Sequence, residues 1–252
     1  MIKLLSDWRR RQALAKVQVS EEQWAAAEAQ LPFLGHLDAV DRQRLRDMAR
    51  EFLAEKEWTA AQDLQLTPAI QLSIALQACL PVLNLGLDHY RGWVGIVVYP
   101  GDFVIPRSIM DEAGVVHEYD DPVLGEAWEG GPVLISWFDQ AEDADGVNVV
   151  IHEFAHKLDM ENGTVDGMPR LPADMLRRDW VAAFEPAYGD FCQRVDSGEE
   201  TLLDPYGAEH PAEFFAVMSE AFFETPELLR DEYPAVFEQL RRFYRQNPTL
   251  SR

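Results

Sequence analysis

The sequence predicts an α+β fold, mainly helical, with a small β-sheet set between two helical stretches. Three observations carry that prediction. Helical hydrophobic spacing and capping signals fill the first eighty residues and return after Asn148. Runs rich in β-branched and aromatic residues cluster between Trp93 and Trp137. No internal repeat or low-complexity linker divides the chain, so residues 1–252 read as one domain.

Ser20 and Gln23 form a capping-box pattern ahead of Trp24 and Leu31. A second helix is expected from Asp38 to Lys56, with Leu45, Met48 and Phe52 at helical spacing. A third starts at Thr67-Pro68, a cap followed by proline at the first helical position, and carries Ile70, Ile74, Leu76 and Leu80. Trp93 to Tyr99 reads as a strand stopped by the turn signal Pro100-Gly101. Val104-Ile105 and Val115-Val116 read as short strands, and Pro132 to Trp137 as a longer one. The acidic runs Glu118–Asp121 and Glu142–Asp145 read as loops. Helices resume at Asn148, broken by loops at Asn162–Pro172 and Asp196–Tyr206.

Composition bounds the function. Apolar residues make up 47% of the chain, which suits a folded globular protein. The 44 acidic residues against 22 basic ones give a net charge of −22. That balance excludes a basic footprint for nucleic acid and disfavours docking on anionic membranes. It suits a basic partner or a substrate carrying a free amine. Cys79 and Cys192 sit in apolar, helix-like settings and read as buried free thiols. Near the N-terminus the apolar run Ile2–Leu5 is followed, not preceded, by arginines, unlike a secretory signal. No stretch approaches the ~18 apolar residues of a membrane span, so a cytoplasmic location is expected.

Residues 152–156 read His-Glu-Phe-Ala-His. Two histidines four apart on a helix project from one face and can share one ion. Glu153 sits beside them, where it can take a proton from metal-bound water. Val150, Ile151, Phe154, Ala155 and Leu158 fall on one side at about 100° per residue. The helix is therefore expected to pack that side on the core and offer the histidines to a cleft. This pattern points to a zinc-dependent peptidase.

Such an enzyme needs a third protein ligand and an open position for water. Asp159 and Asn162 stand where one known class places Gly and His, so that class is excluded. Glu213 is the best candidate. It opens a segment, Glu213 to Phe223, that is apolar almost all round, where a carboxylate needs compensation. Glu220 lies seven residues on, along the same face. A cation would compensate one of the two, and a histidine or backbone donor the other. Asp159 and Asp166 are rival ligands, and Asp159 is placed to orient a ligating imidazole. Tyr206, in the turn Asp204-Pro-Tyr-Gly, is a candidate donor to the oxyanion formed as water attacks a carbonyl. His210 reads as a helix-start residue. The strand at 132–137, preceded by Gly125-Glu-Ala-Trp128, is expected to be the edge that pairs with a substrate backbone.

The sequence resembles the Mlc titration factor A family of bacterial HExxH peptidases. The resemblance rests on Trp93-Val-Gly-Ile-Val-Val-Tyr-Pro, on Gly125-Glu-Ala-Trp, and on His152-Glu-Phe-Ala-His-Lys-Leu-Asp159 with Gly163 and Asp166-Gly-Met-Pro169. Asp204-Pro-Tyr206 and Pro211-Ala-Glu213-Phe-Phe-Ala-Val complete it. It implies a zincin-type, gluzincin-like core similar to the peptidase domain of anthrax lethal factor. Residues 67–252 would form that catalytic core, and 1–66 a helical N-terminal part. It implies one zinc per chain on His152, His156 and Glu213, catalysis by Glu153, and a role for Tyr206. It also implies aminopeptidase-like activity on small peptide substrates. Its namesake binds the glucose repressor Mlc and so influences the glucose phosphotransferase system. An alternative expectation is a non-catalytic zinc-containing protein that sequesters a transcriptional regulator. A free base such as Glu153 beside the metal favours the enzyme over a closed structural site.

Overall fold

The computed structural model describes residues 14–110, 116–138 and 148–250. The expectation for the N-terminal segment rests mainly on residues 1–13, and those for Val115 and for Glu142–Asp145 on residues likewise outside the described ones.

The local signals act where the sequence places them. Helix α1 (Glu21–Ala29) starts at Ser20, whose capping box with Gln23 is complete. Helix α2 (Ala39–Glu55) starts at Asp38, whose carboxylate accepts two backbone N–H groups. Strand β1 (Glu57–Ala60) follows at once. Helix α3 (Pro68–Cys79) is capped by Thr67 with Pro68 in its first turn. Then come β2 (Gly95–Pro100), β3 (Phe103–Met110), β4 (Val116–Val123), β5 (Gly125–Ala127) and β6 (Val133–Trp137). Helices α4 (Val149–Asp159), α5 (Arg177–Asp196), α6 (Pro211–Glu224), α7 (Pro226–Glu232) and α8 (Pro234–Tyr244) complete the chain. The architecture is α+β.

One sheet runs in the order β1-β2-β6-β5. β1, β2 and β6 are parallel, and β5 is antiparallel to β6. β3 and β4 pair separately as an antiparallel ribbon. Ile96 and Val98 on β2 stand beside Val133 and Ile135 on β6, and all four are fully buried. This face joins Phe154 and Ile151 of α4 in one continuous core that also takes in Phe214, Phe215 and Phe222 of α6.

Four expectations change. The segment before residue 67 is not wholly helical, because β1 leaves it to become an edge of the sheet. Glu118–Asp121 belongs to β4 rather than to a loop. Cys79 is buried and Cys192 only partly so, both as free thiols. The strand at 132–137 is internal, between β2 and β5, so among the described strands the edge on that side is β5. A three-residue strand with one partner has little sequence signature, and strand order depends on non-local pairing.

Candidate metal centre

Asn148 caps α4 by accepting the Ile151 N–H with its side chain. All eleven residues of the helix are buried. The histidine face is therefore largely covered, with His152 8% and His156 7% exposed. What covers it is α6, which packs against α4. His210 caps α6 through its ring nitrogen and Pro211 occupies the first turn, which sets Glu213 in that turn.

The two helices bring three donor atoms together. Glu213 Oε2 lies 3.0 Å from His152 Nε2 and 3.1 Å from His156 Nε2, and the two imidazole nitrogens are 3.1 Å apart. His152, His156 and Glu213 thus form a group able to hold a metal ion. A tetrahedral ion with bonds of ~2.0–2.1 Å places its ligands about 3.3 Å from one another. The observed spacing agrees within a few tenths of an ångström, and the two-nitrogen, one-carboxylate set suits a small divalent cation. The rivals Asp159 and Asp166 are not in the cluster.

The carboxylates and imidazoles of the group favour one another's charged forms. Burial opposes charge on His152, but the carboxylates of Glu220 and Glu213 outweigh it and raise its pKa well above the usual value. Burial also opposes charge on Glu213, but hydrogen bonds to both imidazoles hold it far below the ordinary carboxylate range.

Glu220 is fixed as the charge argument requires. Its Oε1 lies 2.7 Å from His152 Nδ1, and its Oε2 accepts the Asn148 N–H at 2.7 Å. The Asn148 side chain also donates to Gln77 Oε1 at 2.9 Å and Glu224 Oε1 at 2.8 Å. The Asn148–Gln77–Glu224 cluster was not foreseen. Its signal was the helix-capping asparagine ahead of the motif.

Asp159 departs from its expected role. Its Oδ2 accepts the Gly167 N–H at 2.8 Å, and its Oδ1 has no hydrogen-bond partner among the described residues. It therefore holds the 162–172 loop instead of an imidazole. Gly167 adopts φ +78°, and a Cβ there would lie 2.3 Å from Pro211 O. The loop thus seats itself directly against the start of α6.

Glu153 is buried, and its Oε2 has no hydrogen-bond partner among the described residues. Burial pushes its pKa up to about 7, against the lowering effect of the two imidazoles. A Cβ on Gly125 would fall 2.4 Å from Glu153 Oε1, so glycine alone allows this approach of β5. Tyr206 lies on the short 3-10 turn Pro205–Ala208. It is 44% exposed, with its ring centroid 6.0 Å from that of His152. No helix among the described residues is long and apolar enough to cross a membrane.

Comparison with known proteins agrees with this geometry. A family model described as glucose-regulated metallo-peptidase M90 matches residues 5–245. A Klebsiella pneumoniae subsp. pneumoniae protein named Mlc titration factor A is 38% identical over 238 residues, covering 92% of this chain and 89% of its own. A Yersinia pestis protein of the same name is 38% identical over 234 residues, covering 90% and 85%. With matches of this extent, the chain belongs to the glucose-regulated metallopeptidase M90 family.

Proposed function

We propose that the chain is a zinc-dependent peptidase with a zincin-type core, residues 67–252, in which His152, His156 and Glu213 are the metal ligands. The observation that carries this is the convergence of those three donors beside a buried carboxylate, Glu153, whose Oε2 accepts no hydrogen bond from the described residues. Those three residues would hold the zinc, which would supply Lewis-acid polarisation of a peptide carbonyl and acidify water near neutral pH.

The chain's own groups do the rest. Glu153, buried beside the three donors, takes the proton from the attacking water and passes it to the leaving amine as the C–N bond breaks. Tyr206 donates a hydrogen bond to the developing oxyanion. Glu220 accepts from His152 Nδ1–H, leaving Nε2 free to ligate. The edge strand β5 pairs with the substrate backbone. Small peptides with a free amino terminus are the substrates, in keeping with the strongly acidic chain and a cytoplasmic location.

The names of the relatives support a second role, binding an Mlc-like repressor and so acting on the glucose phosphotransferase system. It needs no turnover and can use another surface. Sedimentation of the chain with and without an Mlc repressor tests it, and two independent species rule it out.

Hydrolysis of a panel of aminoacyl chromogenic substrates, beside Glu153→Gln and a chelator, tests the peptidase. Turnover lost in both controls supports it. Full turnover in Glu153→Gln, or none in folded zinc-loaded protein, overturns it.

A further inference from the structure

We propose that Lys157 is a positioning residue that fixes the substrate-pairing strand β5 at its distance from Glu153. The inference rests on the peptidase reading above. Lys157 follows the second histidine of the metal motif on α4, and it is only 5% exposed. Its ammonium donates to Trp128 O at 2.5 Å and to Gly131 O at 2.9 Å. It also lies 4.7 Å from the centre of the Trp93 ring. It forms no ion pair among the described residues.

A buried ammonium outside any ion pair among the described residues is costly even with the Glu153 charge favouring it, and an apolar side chain would fill the same space. The charge is not needed to satisfy Trp128 O, which already accepts the Gly131 N–H at 3.0 Å. What Lys157 adds is a cross-link between the metal helix and one turn. That turn, 128–131, is the end of the β5–β6 hairpin, closed by Trp128 N–H to Pro132 O at 3.1 Å. It is tight, since a Cβ on Gly131 would meet Trp128 Cβ at 2.9 Å.

β5 needs such a cross-link. It has three residues and one partner strand among the described residues, and its outer edge is the one a substrate backbone would use. Its Gly125 lies against Glu153, so any drift of the strand changes the gap between peptide and base. Lys157 holds the far end of the strand to the helix that carries Glu153. A substrate long enough to lie along Gly125–Ala127 depends on this alignment, and a single aminoacyl amide does not.

The test is amide hydrogen exchange at residues 125–131 in zinc-loaded protein, with kinetics on an extended peptide and on an aminoacyl amide. Lys157→Met, Lys157→Arg and Lys56→Met are compared with the parent. Lys56 is the control, because it donates to Tyr90 O and Trp93 O and lies over the same Trp93 ring without touching the turn. In Lys157→Met, exchange at 125–131 should rise about tenfold and kcat/KM for the peptide should fall about tenfold, with zinc content and kcat/KM for the amide kept. Lys157→Arg should restore most of this, and Lys56→Met should leave exchange at 125–131 alone. Unchanged exchange in Lys157→Met, or an equal rise in Lys56→Met, overturns the proposal. Should Lys157→Met not fold, Gly131→Ala displaces the same turn, and an unchanged peptide kcat/KM there overturns it too. Lys157-specific exchange in a parent protein without turnover leaves the cross-link standing and removes the peptidase reading instead.

Discussion

Glu220 Oε1 lies 2.7 Å from His152 Nδ1, so the imidazole is gripped on one nitrogen while the other faces Glu213 and His156. The second oxygen of Glu220 accepts the N–H of the residue that caps the motif helix. One carboxylate therefore sets both the ring's tautomer and the start of α4.

Glu220→Gln should weaken zinc binding more than it weakens folding. The amide oxygen can accept from only one of the two donors, and its NH2 then faces the other. A loss of about 10–100-fold in zinc affinity is expected. Competition with a chromophoric chelator measures it, and unchanged affinity would show that the ring is held by packing alone.

Gly167→Ala should act on the metal site from outside it. A side chain is strained at φ +78° and would press on Pro211 O, the first residue of the helix that carries Glu213. The Asp159–Gly167 hydrogen bond cannot hold while the loop moves away. A stability loss on the order of 2 kcal/mol or more is expected, with zinc content falling alongside. Urea unfolding and metal analysis read the two effects. Lower stability with full zinc content would mean that the loop supports the fold and not Glu213.

The parts legible in the sequence are those written in local chemistry. The caps at Ser20 and Thr67 and the strands at 93–99 and 132–137 needed only short-range rules. The approach of Glu213 to the two histidines followed from the cost of a carboxylate in an apolar helix. The same cost foretold a histidine or backbone donor for Glu220, and the structure supplies both. What stayed hidden depends on partners distant in sequence. Glu57–Ala60 is a strand because β2 lies beside it. The edge is β5 because β2 takes the other side of β6. Asp159 turns to Gly167 because the following loop folds back against α6.

Glu224 offers a pH test away from the metal. Burial, with the nearby Glu220 charge also raising it, pushes its pKa from 4.5 up to about 7, despite the Asn148 hydrogen bond. Between those values the folded state binds more protons than the unfolded one, so this group's contribution falls as pH rises from about 4.5 to 7. The loss is on the order of 2–3 kcal/mol. Glu224→Gln keeps an acceptor for Asn148 and removes the charge. It should be about 2 kcal/mol more stable than the parent at pH 8 and nearly equal to it at pH 4.5. Urea midpoints at the two pH values decide, and a pH-independent difference would exclude this titration.

Gly125→Ala separates the proposed base from the proposed ligands. The added methyl would lie within 2.4 Å of Glu153 Oε1 and 2.7 Å of its Cγ, so either the carboxylate or the edge strand must shift. Overpacking of this kind costs about 1–3 kcal/mol of stability. The larger effect should be on turnover, by about 10²-fold, because general-base catalysis fails when the carboxylate is misplaced by about an ångström. Zinc affinity should hold within about threefold of the parent, a change worth less than about 1 kcal/mol, since Glu153 is not among the three converging donors. Turnover, urea unfolding and chelator competition on the same preparation distinguish the outcomes. Lost zinc together with lost turnover would mean that β5 supports the ligand cluster itself, and intact turnover would mean that Glu153 acts from another position or not at all.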